Sequence, residues 1–278
     1  MKKLTNKELK KIQSIELEIL KEFDKICKKN NLRYVLTGGT LIGAIRHNGF
    51  IPWDDDIDLA MPRKDYNKFI EIQKKELNHN KYYFQSLETS EQYSSIGAKI
   101  RRKNSIYKES LSSLPRESQG IWIDIFPVDN ISNNKIIAFI TFAKVFYYKM
   151  MLSYKLKNTP ITDNLSKKVL LYIIKFNSNF TSINKLKRKY FKIINKINKY
   201  ETKNIISFGG VYLLKEIAPR DYIDHIISHQ FEDEQFNIPK SYDSYLTHIY
   251  GNYMQLPPKE KRKSNHFIEE LKFPNNNE

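Results

Sequence analysis

The sequence predicts an α+β fold: several strands supported by helices, carrying a basic all-helical insertion. Three observations predict it. Residues 1–130 alternate helix-period and strand-period apolar patterns. Residues 134–200 contain no glycine, one proline and apolar clusters spaced by lysines, which is helical composition. Residues 201–278 return to mixed character around a Gly-Gly turn at 209–210. The expected organisation is a core over 1–130, a basic helical insertion over 131–200, and a C-terminal part over 201–278 that completes the core.

Each element follows from a local pattern. Thr5 with Glu8 makes a capping box, and Ile12, Ile15, Ile19, Phe23 and Ile26 form an apolar stripe, so residues 5–29 are expected to be helical. Leu32–Leu36 is a short β-prone run leading into Thr37-Gly38-Gly39. Leu41, Ile42 and Ile45 then follow at helical spacing, and Asn48-Gly49 stops that helix. Ile57–Met61 reads as a strand ended by Pro62, and 64–78 as a helix. Residues 82–87, 95–101 and 120–127 read as strands, the last bounded by Gly120 and Pro127. Residues 134–200 predict two or three helices, broken near Asn158–Asp163 and Asn177–Asn184. Farther on, 226–231 and 235–238 suit a hairpin, and 241–250 a helix ended by Gly251.

Composition narrows the class. With 278 residues, 40% hydrophobic and 13% aromatic, the chain can bury a sizeable core, which excludes global disorder. Cys27 is alone, so no intrachain disulfide forms; it lies on the first helix's buried stripe, a core position. No apolar run follows the N-terminal Met-Lys-Lys. The longest apolar run, Ile136–Ala143, ends at Lys144, short of the roughly 18 residues of a membrane span. The expectation is a cytoplasmic protein, or one peripheral at the inner face of a membrane.

The net charge of +16 is unevenly placed. Residues 131–200 hold 14 Lys, one Arg and one Asp, a net +14, and the rest of the chain is near neutral. A near-neutral body with one basic segment points to an appendage facing an anionic partner. A membrane surface fits. A basic nucleic-acid-binding protein is the alternative, but the segment has little arginine and no nucleic-acid module.

The chemistry concentrates in residues 35–62. Asp56 and Asp58 are two apart, so on a strand they share a face and converge on one or two cations. All-oxygen ligation favours Mg²⁺ or Mn²⁺. Upstream, Gly38, Gly39 and Thr40 open a helix, an arrangement that suits a phosphate. Asp124, in an apolar strand, needs a partner: a lysine, or a shared metal ion. Three carboxylates, metal and a glycine turn describe phosphoryl or nucleotidyl transfer.

Around these sit secondary candidates. Arg46 either reaches the phosphates or pairs with Asp54 or Asp55, and His47 is read as structural. Asp54 and Asp55 are read as supporting the ligands. Lys99 and Arg101 share a strand face and either hold a diphosphate or face solvent. Trp53 and Trp122 flank the acids and offer faces to a cation, or belong to the core. His266 is read as a surface residue.

Three stretches carry a resemblance. Gly-Gly-Thr-Leu-Ile-Gly-Ala-Ile-Arg-His with Gly-Phe-Ile-Pro-Trp-Asp-Asp-Asp-Ile-Asp-Leu-Ala-Met-Pro-Arg (38–63), Gly-Ile-Trp-Ile-Asp-Ile-Phe-Pro-Val-Asp (120–129) and Tyr-Gly-Asn-Tyr-Met-Gln-Leu-Pro-Pro-Lys-Glu-Lys-Arg (250–262) resemble the signatures of the LicD family, within the nucleotidyltransferase-fold superfamily. The resemblance covers about residues 30–265, with 131–200 the least matched part. It implies a five-stranded mixed sheet, bound Mg²⁺ (or Mn²⁺), and transfer of phosphocholine from CDP-choline to a hydroxyl of a cell-surface glycan, such as lipopolysaccharide, teichoic acid or capsule, or of its lipid-linked precursor. Residue by residue it places Asp56, Asp58 and Asp124 as metal ligands and Gly38 and Gly39 at the nucleotide. Transfer of glycerol or ribitol phosphate from its CDP form is the alternative within the family.

Overall fold

A computed structural model describes residues 4–109, 119–156, 165–264, 266 and 268–275. The expected break at Asn158–Asp163 lies outside the described residues. In chain order the first half contains α1 (Asn6–Lys29), β1 (Val35–Leu36), α2 (Gly38–His47), β2 (Asp58–Pro62), α3 (Arg63–Glu76), β3 (Tyr82–Ser86), β4 (Ala98–Arg102), β5 (Ile106–Glu109) and β6 (Trp122–Ile131). Three helices follow: α4 (Lys135–Lys155), α5 (Leu165–Asn179) and α6 (Ile183–Ile197). The remainder contains β7 (Asn204–Ile206), β8 (Ile217–Pro219), α7 (Asp221–Asp224), the hairpin β9 (Ile226–Phe231) and β10 (Glu234–Pro239), α8 (Tyr242–Tyr250) and β11 (Ile268–Lys272).

Five strands run in the order β1-β2-β6-β4-β3, with β2 and β6 parallel and the other pairs antiparallel. β7 joins the far end of β6 and β8 joins β7, making seven. The mixed sheet is as expected, with two strands more. β7 and β8 have three residues each, too short for an alternation to show. The pairing of β5 with β11 joins segments about 160 residues apart, which no local pattern announces.

Strand alternation gives the sheet two unlike faces. Leu36, Leu59, Met61, Ile100, Ile123 and Ile125 point one way, into a core shared with α1 and α3. On that side Arg63 opens α3 with two charge-assisted bonds to the fully buried Asp129, at 2.7 and 2.8 Å. The opposite face carries Val35, Asp58, Ala60, Asp124, Phe126, Val128 and Lys99, in register across β1, β2, β6 and β4. The strand-borne part of the site lies there.

Two expectations need correction. β6 does not end at Pro127 but runs through it to Ile131. The Asp124 N–H bonds Ile57 on the β2 side, so alternation turns position 127 to the other side, where β4 has ended at Ile125 and β7 begins only at Asp129. Proline is tolerated because no partner awaits its missing donor. Second, Lys144 does not interrupt α4. It is one continuous 21-residue helix, long and apolar enough by length and composition to cross a membrane.

The helical segment contains three helices among the described residues, the last two separated at 180–182. Asn134 and Ser182 cap α4 and α6. Leu186, Tyr190 and Ile194 recur every four residues on α6 and bury against Val145, Met151 and Leu152 of α4, Ile174 of α5 and Ile131 of β6. Asn198, just past α6, ties the bundle to the sheet through Asp129 at 2.7 Å.

Candidate active site

The acidic loop 54–57 runs into β2, which begins at Asp58. Asp56 therefore lies just before the strand and not on it. Asp58 and Asp124 are register partners on adjacent parallel strands, about 4.8 Å apart, and point to the same face. Lys99 is the next residue in that row. Its Nζ donates to Asp124 Oδ2 at 2.6 Å, and Trp122 Nε1 donates to the same oxygen at 2.7 Å. The lysine partner considered for Asp124 is present, and it stands inside the acid cluster.

The glycines of α2 make room for carboxylates. Gly38 has φ +59, and a Cβ there would meet Asp58 Oδ2 at 2.8 Å; one on Gly39 would meet Asp54 Oδ2 at 2.6 Å. Both stand in the first turn of α2, so the helix's positive end faces the acids. Thr40 is buried, and its hydroxyl accepts the Asp58 N–H at 2.8 Å, so it fastens the start of β2 to α2.

Burial and mutual repulsion govern these acids. Asp58 is pushed well above the usual carboxylate range by burial and then by the charges of Asp56, Asp124 and Asp54. Asp54 is pushed well up by burial and by Asp56 and Asp55. Burial also raises Asp56, with His266 and Lys99 opposing the shift. Asp55 differs. Burial would raise it, but His266, Ser264 and Tyr107 outweigh that and hold it below its usual range. Ser264 Oγ donates to Asp55 Oδ2 at 2.6 Å, His266 Nδ1 lies 3.1 Å from Oδ1, and Tyr107 donates its hydroxyl.

His266 is thus a site residue and not a surface one. Its Nε2 lies 4.0 Å from Asp56 and 3.9 Å from Glu109. Burial would lower it, but the bond to Asp55 and the charges of Asp55, Asp56 and Glu109 push it up to about 9. Glu16 of α1 also escaped sequence reading. It is 2% exposed, its Oε2 has no hydrogen-bond partner, and burial followed by the charges of Asp56, Asp55 and Asp54 pushes it well up. It occupies the stripe position between Ile12 and Ile19, a detectable break in an otherwise apolar face.

A divalent cation fits this donor set. Asp54, Asp55 and Asp56 each offer an oxygen within 4.8 Å of the others, the donors are all oxygens, and Glu16 leaves one buried oxygen unpaired beside them. Asp55 belongs to this group although sequence reading gave it a supporting role.

The remaining candidates are placed otherwise. Arg46 does not pair with Asp54 or Asp55; it donates to the carbonyls of Tyr253 at 2.6 Å and Gln255 at 3.5 Å, fastening the 250–262 segment to α2. His47 accepts from Arg46 Nε at 3.0 Å. Arg101 shares the face of Lys99 but is buried, bonded to Gln85 and to the Gly120 carbonyl. Both tryptophan rings are already engaged by protein cations: Trp122 by Lys99 at 4.1 Å and Arg101 at 4.8 Å, Trp53 by Arg262 at 5.7 Å.

Beyond Asp58 the same sheet face opens into a cavity of about 130 Å³. Its walls include Val35, Ala60 and Phe126 of the sheet, and Tyr222, Tyr245 and Tyr250. Tyr245 meets the Thr37 hydroxyl at 2.7 Å.

Known proteins resemble this chain in sequence. Residues 31–156 match the family model described as LicD/FKTN/FKRP, nucleotidyltransferase domain. Over 278 aligned residues the chain is 34% identical to the lipopolysaccharide cholinephosphotransferase LicD of Haemophilus influenzae, covering 97% of this chain and 98% of that one. Shorter matches occur with uncharacterised proteins of Rickettsia typhi, 40% identical over 72 residues (24% of this chain, 23% of that one), and Rickettsia prowazekii, 42% identical over 48 residues (17% and 18%). The glycines packed on Asp58 and Asp54, the strand-paired Asp58 and Asp124, and a full-length relative agree: the chain belongs to the LicD family.

Proposed function

We propose that the protein transfers phosphocholine from CDP-choline to a hydroxyl of lipopolysaccharide or its lipid-linked precursor, releasing CMP. The observation that carries this reading is the row of Asp58, Asp124 and Lys99 across three strands, in a chain whose full-length relative is a lipopolysaccharide cholinephosphotransferase. Asp56, Asp58 and Asp124 would hold Mg²⁺ or Mn²⁺, with Asp54 and Asp55 offering further oxygens beside Asp56; when bound, the ion would neutralise the donor's phosphate charge and offset the repulsion among the carboxylates.

The chain's own groups do the rest. Lys99, held at 2.6 Å from Asp124, presents a fixed cation to the phosphates. The acceptor hydroxyl gives its proton to a carboxylate, Asp124 in our reading, and its oxygen attacks the phosphorus bearing choline. The bond from that phosphorus to the bridging oxygen breaks, and CMP leaves with that oxygen. His266 holds Asp55 and, through it, the acidic loop. The test is to incubate the protein with Mg²⁺, phosphocholine-free lipopolysaccharide and CDP-choline, CDP-glycerol or CDP-ribitol. CMP release with CDP-choline alone supports the reading; release with only CDP-glycerol or CDP-ribitol replaces it.

We further propose that the helical segment rests on the anionic cytoplasmic face of a membrane, where a lipid-linked acceptor is reached. Its support is twofold. The segment's net charge of +14 suits anionic lipid, with each lysine near the surface worth about 1 kcal/mol. Ile136, Ile137 and Phe139 on α4 and Tyr172, Ile173 and Phe176 on α5 are at least half exposed, an apolar face available to the acyl boundary. Co-sedimentation with vesicles of rising phosphatidylserine content tests it; indifference to anionic lipid overturns it.

A further inference from the structure

The cavity beyond Asp58 differs from the acid cluster in what lines it. Its charged lining residues are Asp58 and Glu216, and no lysine, arginine or histidine lines it, in a chain of net charge +16. With the two carboxylates stand aromatic rings in two edge-to-face pairs. Tyr212 and Tyr250 have centroids 5.3 Å apart, and Tyr222 and Tyr245 have theirs 5.0 Å apart. Phe126 and aliphatic side chains of the sheet complete the wall.

Glu216 is deliberately accommodated by the chain around it. A Cβ on Gly210 would meet its Oε1 at 2.1 Å, so the carboxylate packs directly against the glycine and any side chain there would displace it. Its Oε1 accepts the Tyr212 N–H at 3.2 Å. The nearby Lys149 turns its Nζ to the Phe208 carbonyl at 3.3 Å and forms no ion pair with Glu216. The carboxylate therefore lines an aromatic cavity without a direct ion pair, with Lys149 and His248 acting on it only from beyond hydrogen-bond contact.

We propose that this cavity is the subsite for the quaternary ammonium head of the donor, with Tyr212, Tyr222, Tyr245 and Tyr250 as its cage and Glu216 as its counter-charge. The inference rests on the proposed phosphocholine transfer and deepens it. A trimethylammonium group donates no hydrogen bond; it is recognised by ring faces and a carboxylate. A cavity of about 150 Å³ lined by apolar side chains holds benzene, whose bulk is comparable to that of a trimethylammonium head, so the volume of about 130 Å³ here is of the right order. Asp58 lines both cavity and acid cluster, so a head lodged here keeps its phosphate beside Asp58 and Asp124. Glycerol and ribitol chains are neutral and gain nothing from the ring faces or from the Glu216 charge, so the cavity favours the cation over them. Trp53 and Trp122, whose rings already face protein cations, do not form the cage.

Calorimetric titration of the whole protein with choline, and with its neutral isostere 3,3-dimethyl-1-butanol, tests this directly. Choline is expected to bind at least tenfold tighter than the isostere. Glu216→Gln, which preserves the acceptor for the Tyr212 amide, is expected to lose at least tenfold in choline affinity. Tyr212→Leu, at a partly exposed position that spares the core, is expected to lose severalfold, with melting curves confirming that both variants fold. No choline binding, equal binding of choline and isostere, or unchanged affinity in both folded variants overturns the inference. The function is judged separately by CMP release from CDP-choline in the unsubstituted protein. Choline binding without CMP release keeps the subsite and sinks the reaction; CMP release with unchanged KM in both variants does the reverse.

Discussion

The acid cluster and the tyrosine cavity occupy two ends of one sheet face and meet at Asp58. At the acid end five aspartates, Asp54, Asp55, Asp56, Asp58 and Asp124, crowd together with Lys99 and His266 among them, and burial makes the charges of Asp54, Asp56 and Asp58 costly. At the other end the walls are mostly rings and aliphatic side chains, with Glu216 as the further charge. The difference teaches what kind of molecule spans the face. One end suits a multiply charged anion accompanied by a hard cation; the other suits a bulky cation with no hydrogen-bond donor. A phosphocholine ester has both ends.

Separating the two ends experimentally gives the largest expected effect. Removing divalent ions with EDTA should abolish CMP release, and added Mg²⁺ should restore it, while choline still binds the cavity. Loss of choline binding in EDTA would mean that the two ends are not independent. Next comes Lys99→Met. It removes the cation of the acid end and should lower kcat by about 10²–10³-fold with little change in choline affinity. A smaller effect is expected for His266→Gln in metal-free protein. His266 is raised from 6.5 to about 9 in the fold, so its contribution to stability is full below about pH 6.5 and lost as pH rises through about 9. The melting temperature of the variant should therefore lag most near pH 6 and match the unsubstituted protein near pH 10. The smallest effect is expected for Trp53→Phe, which should leave KM for CDP-choline within about twofold, since the cage lies elsewhere. A large rise in KM would return the choline site to the tryptophans.

The two ends also differ in how far the sequence reveals them. Asp56 and Asp58 stand two apart next to a strand, and Asp124 interrupts an apolar run, so the acids are visible as local patterns. The glycines are visible too, though what they accommodate, Asp58 and Asp54, appears only in three dimensions. The cavity is assembled from β1, β2, β6, β7, β8 and α8, and each tyrosine in it looks like an ordinary core aromatic along the chain. Asp55 and His266 lie 211 residues apart, and only the fold brings them to 3.1 Å. The long elements, α1, α3 and the β9–β10 hairpin, were legible because periodicity, caps and turn residues agree over many positions. β5, β7, β8 and β11 were not, because pairing with distant strands, and not their own composition, makes them strands.

The most direct test of the central claim, that the strand-paired carboxylates drive phosphocholine transfer, is Asp58→Asn assayed for CMP release from CDP-choline with Mg²⁺ and lipopolysaccharide. The substitution removes a charge that the fold holds at a cost, because burial and the neighbouring aspartates push Asp58 well above its usual range. The metal-free variant should therefore melt no lower than the unsubstituted protein at neutral pH. Its turnover should fall by at least about 10³-fold, roughly 4 kcal/mol of transition-state stabilisation. A well-folded variant with near-normal turnover would contradict the account.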